Sequence, residues 1–408
     1  MTAGKTIKNE EGKVFRVEDY IYVTRTAIPP LKKYVRQLYD LWGNRALTNQ
    51  GENYDELQRV LAADLGVDHV TLTANGHVAL ELALKALGCT GEVITTPFTF
   101  ASTTQAIVNS GCTPVFCDID MSTLTIDASK IESLITPKTS AILAVHVLGR
   151  VCDVESIEAI AKKHNLRVIY DAAHAYKVKV NNQPISQFGD CTTYSFHATK
   201  LFHAVEGGAL ATNDAALNKQ FGTPHNFRGV DEETIVQGGS KEKMSEFHAA
   251  MGLCNVNYID GWIAQRKELY EYYTLRLKDV DGFTIPALQP HVTPNYSYYP
   301  ILLDMDRDGF IAYLKEHQIV ARNYFYPLTS SIVSVGSVEM GKRLAEKSST
   351  PVASSVAERV LCLPLYADLT FEQIDKICAC IKDYIQLASS LNKGQTPSDV
   401  VKKEITVG

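Results

Sequence analysis

No apolar run in this chain approaches the roughly 20 residues that a helix needs to cross a bilayer. Charge of one sign is not in large surplus either. Lysine and arginine number 40 against 46 acidic residues, a formal net charge of −6, so neither nucleic acid nor an anionic membrane is expected as a partner. The opening stretch MTAGKTIKNEEGK has no signal-peptide core. Cysteine is present but unpatterned. The nine cysteines (Cys89, Cys112, Cys117, Cys152, Cys191, Cys254, Cys362, Cys378 and Cys380) are scattered and odd in number. Most lie in apolar segments such as VFCDID and LCLPLY, which suits buried, reduced thiols of a cytoplasmic protein. Cys378 and Cys380 fall two apart on an expected helix, where side chains do not face each other. No second cysteine pair or histidine cluster accompanies them, so no metal site is expected. Internal repeats are absent as well.

What is present is an ordinary globular composition, 45% hydrophobic and 21% charged, over 408 residues. That length exceeds one average domain and can bury a large core. Residues 1–15 and 390–408 are polar and expected to be mobile ends. Between them, short apolar strands alternate with amphipathic helices. Asn75 caps an expected helix over HVALELALKAL, closed by Gly88. Strand EVITT, helix ASTTQAIVN and strand TPVFCDID follow, then a helix from Asp127 through KIESLI. Strand AILAVHV, a helix capped by Asp153 and strand RVIYD come next. The alternation predicts an α/β fold, an open and mainly parallel sheet covered on both faces. From about residue 245 the pattern changes: one long helix over 244–277, strand YSYYPILL, a helix after Asp306, strand IVARNYFYP and a last helix at 370–387. The expected division is a large domain over 16–245 and a smaller C-terminal α/β domain over 246–389.

The chemistry concentrates in four segments. In VIYDAAHA, Asp171 ends an apolar strand, where open α/β sheets bind ligands. A carboxylate there can keep a pyridine nitrogen protonated, which makes the ring an electron sink. His174, three residues on, could hold a ring oxygen or lie on the ring face. Asp171 reads equally well as a helix cap, and His174 alone reads as a loop histidine. In TTYSFHATKLFHAVEGGALAT, Lys200 follows a strand, and EGGAL permits a tight turn into the next. A partly desolvated lysine can be neutral and attack an aldehyde, and its freed amine can carry a proton. Ser195 can give a hydroxyl to phosphate. A lone lysine of this kind is otherwise a surface loop residue. In ANGHVALELAL, Gly76 and His77 open the helix capped by Asn75, so their N–H groups suit an anion. In TTPFTFASTTQAI, Phe100 could lie flat on a ring, although core packing is the default for such a residue.

Read together, TPFTFASTTQAI, PVFCDID, CDVESIEAIAKKHNLRVIYDAAHA, YSFHATKLFHAVEGGAL, KMSEFHAAMGL and LCLPLY resemble the DegT/DnrJ/EryC1/StrS family of sugar aminotransferases over about residues 20–388. The resemblance implies the aspartate-aminotransferase fold (fold type I), with a mainly parallel seven-stranded sheet and a homodimer whose active sites lie at the subunit interface. It also implies pyridoxal 5'-phosphate as cofactor, with Lys200 as Schiff-base lysine, Asp171 on the pyridine nitrogen and His174 against the ring. Ser195 and the Asn75–Gly76–His77 turn would bind phosphate, and Phe100 would stack on the ring. YVTR…PPL…WGNRALTN, the wording around Lys200 and ARNYFYPL most resemble members that move an amino group from L-glutamate to C4 of dTDP-4-keto-6-deoxyglucose. Such products feed cell-surface polysaccharides, O-antigen and lipopolysaccharide among them.

Several positions depart from the family pattern. His77 stands where threonine is usual, and Lys241 where a partner-subunit loop offers asparagine to phosphate. Ala46 replaces a tryptophan, Arg150-Val151 an Asn-Pro pair and Lys177 a glycine, while Arg228 interrupts a loop placed near the sugar. Lys241 could make a charge-assisted phosphate contact or face solvent. Tyr324 to Tyr326 and the 224–230 loop are candidate sugar contacts. The alternatives are an aminotransferase for a UDP or GDP sugar or a 3-keto sugar, a sugar dehydratase (which Lys200 argues against), and a catalytically silent homologue.

Overall fold

The short apolar runs pair into one seven-stranded sheet. Its strands are β1 (His69–Thr73), β2 (Glu92–Thr95), β3 (Thr113–Phe116), β4 (Thr139–Val145), β5 (Arg167–Asp171), β6 (Cys191–Ser195) and β7 (Gly208–Thr212). They lie in the order β1-β7-β6-β5-β4-β2-β3. Every pairing from β6 to β3 is parallel, and β7 runs antiparallel to both of its neighbours. The α/β class and the mainly parallel sheet are therefore as expected. The chain is described from a computed structural model, which covers residues 6–8, 14–16, 20–222, 242–331 and 349–391. Lys241, Arg228 and the 224–230 loop lie outside the described residues.

Both faces of the sheet are covered, which is why its strands read as nearly unbroken apolar runs. Val168 and Tyr170 of β5 face a core shared with Leu57, Leu61, Tyr194 and Phe196. Ile169 of the same strand faces Leu82, Ala83, Val93, Ile107 and Leu143 on the other side. Local signals set the helices between strands. Asn75 caps Gly76–Ala86 by accepting from Val78 N, and Asp153 caps Val154–His164 by accepting from Ser156 N. Helix Glu52–Leu65 has no side-chain cap of its own. The fully buried carboxylate of Glu246 serves it from a distance, accepting from Gly51 N at 2.9 Å, Asn53 N at 2.8 Å and Tyr54 N at 3.3 Å.

The C-terminal part carries a three-stranded antiparallel sheet of Phe283–Thr284, Tyr299–Leu303 and Val360–Leu363. Its core includes Tyr273, Phe310, Ile377 and Ile381. Ile21 joins the same core, because Ile21–Tyr22 pairs in parallel with Ile319–Val320. All nine cysteines are free and buried.

Three local expectations are corrected. The single helix over 244–277 is two, Glu246–Val256 and Ile259–Leu277. The first stops where the Asn257 side chain turns back to Leu253 O and Tyr258 N bonds Asn255 O, local bonds that compete with helix continuation. The strand over IVARNYFYP is only Ile319–Val320. Beyond it Arg322 makes an isolated bridge to Cys362, and Tyr326 N closes a turn on Asn323 O. The helix through KIESLI is a four-residue turn, Ala128–Ile131, followed by a 3-10 segment.

Candidate active site

The carboxyl ends of β4, β5 and β6 meet the N-termini of helices Gly76–Ala86 and Ala101–Asn109 around a cavity of about 470 Å³. That is where an open α/β sheet offers converging strand ends and unpaired helix amides. Asn75, Gly76, His77, Phe100, Asp171, His174, Ser195 and Lys200 all line it. Every expected cofactor-site residue within the described part is thus brought to one place. Of the candidate sugar contacts, Tyr324 and Phe325 line it too, whereas Tyr326 does not, its ring lying under the Arg307 guanidinium at 4.3 Å.

Asp171, the last residue of β5, is buried. Its Oδ2 accepts from the Thr103 hydroxyl at 2.8 Å and its Oδ1 from Ala173 N at 3.0 Å. Burial raises its pKa above the usual carboxylate value, opposed by those two donors and by the Lys200 charge. Lys200 follows β6 after a turn in which its N–H bonds His197 O. Its half-buried ammonium makes no hydrogen bond or ion pair among the described residues. Burial lowers its pKa from 10.5 to about 8, with Asp171 pulling the other way. A neutral, nucleophilic fraction is therefore available near neutrality.

His174 is buried, and its Nδ1 accepts from Leu148 N at 3.1 Å. Its ring stacks on Phe325 at 5.6 Å, with Tyr298 edge-on at 4.9 Å. Burial first, and the Lys200 charge second, push its pKa well below the ordinary histidine value. Phe100 is 59% exposed, and its ring lies 6.3 Å from that of Phe325. At the other end, Gly76 packs so closely on Ser195 that a Cβ on it would stand 2.7 Å from Ser195 Cβ. Gly208 is equally confined, with a Cβ falling 2.4 Å from Asn75 O. Among the described residues, the N–H groups of Gly76 and His77 and the Ser195 hydroxyl make no hydrogen bond. Free amides at a helix start beside a free hydroxyl fit a phosphate, with no side chain filling the space. The His77 imidazole turns toward Glu81, with Nε2 to Oε1 at 3.1 Å.

Sequence reasoning missed Thr103, Tyr298 and the Leu148 amide. Thr103 stands in the first turn of its helix, three residues past Phe100, a spacing that puts both at the helix start. Nothing in the sequence marked Tyr298 or Leu148. Two departures from the family pattern have structural partners. Lys177 holds the left-handed backbone (φ +61°) that glycine would take, and its amine pairs with Asp64 and Asp260, both at 2.7 Å. The Arg150 guanidinium bonds three main-chain carbonyls.

A doubly covered parallel sheet with an antiparallel β7, a lysine after β6 and an acid ending β5 define an α/β enzyme of the transaminase type. The chain belongs to the DegT/DnrJ/EryC1/StrS aminotransferase family, whose profile matches residues 32–382. It is 39% identical to a dTDP-4-amino-4,6-dideoxy-D-glucose transaminase of Shigella dysenteriae, over 90% of this chain and all of that one. Identity reaches 42% to the Escherichia coli protein of the same name, over 88% of this chain and 96% of that one. The solved structure of DesI in the presence of its TDP-sugar product superposes with a TM-score of 0.84 at 31% identity, covering 90% of this chain and 93% of that one. No described helix is long and apolar enough to cross a membrane.

Proposed function

We propose that this chain uses pyridoxal 5'-phosphate to transfer an amino group from L-glutamate to C4 of a nucleotide-linked 4-keto-6-deoxy sugar, dTDP-4-keto-6-deoxyglucose being the first candidate. The observation that carries the reading is the pairing of a half-buried Lys200, lowered to about pKa 8, with a buried Asp171 across one cavity that also has a free-amide helix start. Bound pyridoxal phosphate would supply an aldehyde that holds amino groups and a ring that draws electrons. Asp171 would keep the ring nitrogen protonated, and the Gly76 and His77 amides with Ser195 would take the phosphate. Lys200 would hold the cofactor covalently and move the proton at the substrate carbon that bears nitrogen. Phe100 and His174 would bound the ring.

The similarity to two dTDP-4-amino-4,6-dideoxy-D-glucose transaminases favours a dTDP sugar, and the likeness to DesI, solved with its TDP-sugar product, supports the same choice. On this reading the product serves cell-surface polysaccharide synthesis in the cytoplasm. The partner is a second copy of the chain. Leu31 and Trp42, at 73% and 71% exposure, stand with Val35 and Tyr39 along one side of helix Leu31–Asn44, an apolar stripe suited to burial between copies. Lys241 would reach the phosphate from the neighbouring copy.

Purified protein given pyridoxal phosphate should turn yellow, and borohydride should fix the cofactor on Lys200. Glutamate should then aminate dTDP-4-keto-6-deoxyglucose. A protein that stays colourless would be a silent homologue. Turnover confined to UDP, GDP or 3-keto sugars would overturn the choice of substrate.

A further inference from the structure

We propose that Arg150 is a positioning residue that sets the tautomer of His174. By locking the turn after β4, it holds the Leu148 N–H against His174 Nδ1, so that the ring offers an Nε2–H donor to the cavity.

The turn Val147–Gly149 is unusual in its backbone. Leu148 has φ +55° and Gly149 φ +82°, two consecutive left-handed residues of which one carries a side chain. L-residues disfavour that conformation, so neighbours must hold it. A Cβ on Gly149 would fall 2.9 Å from Asn295 Oδ1 and 3.2 Å from His174 O, so only glycine lets the turn press this close to the histidine. Arg150 supplies the restraint. It is buried, and its Nε donates to Thr123 O at 2.7 Å while Nη2 donates to Ser122 O at 2.8 Å and Ala287 O at 2.7 Å. A planar guanidinium fixes three carbonyls on two chain segments, which lysine's single ammonium cannot match in geometry. The next residue is clamped as well: Gln289 Oε1 accepts from Val151 N, and its Nε2 donates to Val151 O, both at 2.7 Å.

His174 is held from the other side. Its carbonyl accepts from Asn295 Nδ2 at 3.0 Å and from the Ser297 hydroxyl at 2.9 Å. With backbone and turn both fixed, the Leu148 N–H reaches Nδ1 at 3.1 Å. A ring nitrogen that accepts from a main-chain N–H carries a lone pair, so the single hydrogen of a neutral imidazole lies on Nε2. That nitrogen makes no hydrogen bond among the described residues, and His174 lines the cavity. Burial keeps the ring neutral. The result is a pure donor, matched to an anionic oxygen such as the ring oxygen of the cofactor. This last match rests on the proposed function, whereas the tautomer does not.

The test begins with cofactor-free wild type carrying 15N-labelled histidine, with the His174 signals assigned by loss in His174→Gln. Long-range 1H–15N correlation should find the hydrogen on Nε2 alone. A hydrogen on Nδ1 overturns the proposal. In Arg150→Met the two tautomers should coexist, and pyridoxal phosphate should bind about fivefold more weakly, the scale of one impaired hydrogen bond. Arg150→Lys should fall between the two proteins in both readouts, and it carries the comparison if the methionine variant does not fold. A folded variant with wild-type tautomer and wild-type affinity overturns the assignment to Arg150. Wild type with the Nε2 hydrogen that takes up no cofactor would refute the proposed function and leave the tautomer assignment standing.

Discussion

The Thr103 hydroxyl donates to Asp171 Oδ2 at 2.8 Å, joining the first turn of one helix to the end of a strand 68 residues later. Among the described residues it is one of two protein donors on a buried carboxylate. Removing it by Thr103→Val leaves Oδ2 without a partner and raises further a pKa that burial has already raised. The carboxylate would then ionise at higher pH. Pyridoxal phosphate affinity should fall about fivefold at pH 7, and its acid limb should move upward. A spectrophotometric titration at several pH values checks both.

Lys200 gives a stability prediction of opposite sign to its catalytic one. Its folded pKa of about 8 lies below the ordinary 10.5, so the unfolded chain holds the proton more tightly. Wild-type apoprotein therefore carries a penalty below pH 8 that fades as pH rises from about 8 to 10.5. Lys200→Met should be inactive yet melt at a higher temperature at pH 7, and its advantage should shrink through that window. Melting curves of both apoproteins from pH 7 to 10.5 test it.

Gly76→Ala should abolish cofactor capture. The added methyl would stand 2.7 Å from Ser195 Cβ and 3.0 Å from its Cα, and a fixed strand end cannot yield that far. Overpacking of this kind costs about 1–3 kcal/mol. Equilibrium dialysis with pyridoxal phosphate, alongside a denaturant melt, separates lost binding from lost fold.

Glu246→Ala should destabilise the protein without touching the cavity. The carboxylate is the distant cap of helix Glu52–Leu65, and its loss leaves three N–H groups unpaired. A cost of about 2–4 kcal/mol follows, read as a lower urea midpoint. Glu246→Gln, which keeps one acceptor oxygen, should cost less.

Leu31→Glu with Trp42→Glu should yield a monomer in sedimentation velocity. Both side chains are exposed on the same helix, and a charge there cannot be buried between copies. A dimer that survives the pair of changes would remove this stripe from the interface.

Much of the fold was legible in the sequence, because strands covered on both faces are short apolar runs and helices announce themselves by caps such as Asn75 and Asp153. The ANGH, DAAHA and SFHATK segments likewise marked the cavity, since each joins a strand end or helix start to a reactive side chain. What remained hidden depends on the meeting of distant segments. The Leu148 amide meets His174 beside an Arg150 anchored by residues 122, 123 and 287, none of them near it in sequence. The break after Val256 was hidden for a nearer reason: the apolar spacing continues through it, and the stop is marked by local bonds of Asn257 and Tyr258. The IVARNYFYP segment failed as a strand because its aromatic residues serve the cavity. Tyr324 and Phe325 line it instead of alternating across a sheet.

β1 pairs with β7 and with no other strand of the sheet. The free-amide turn at residues 75–77 follows β1, and Gly208 at the start of β7 closes on its main chain. During synthesis, then, an emerging chain would present Asp171, His174, Ser195 and Lys200 before β1, which leads into the anion-holding turn, has a strand to pair with. Cofactor loading would become possible only once the strand beginning at Gly208 has joined, so a retained cofactor would report that the sheet is complete.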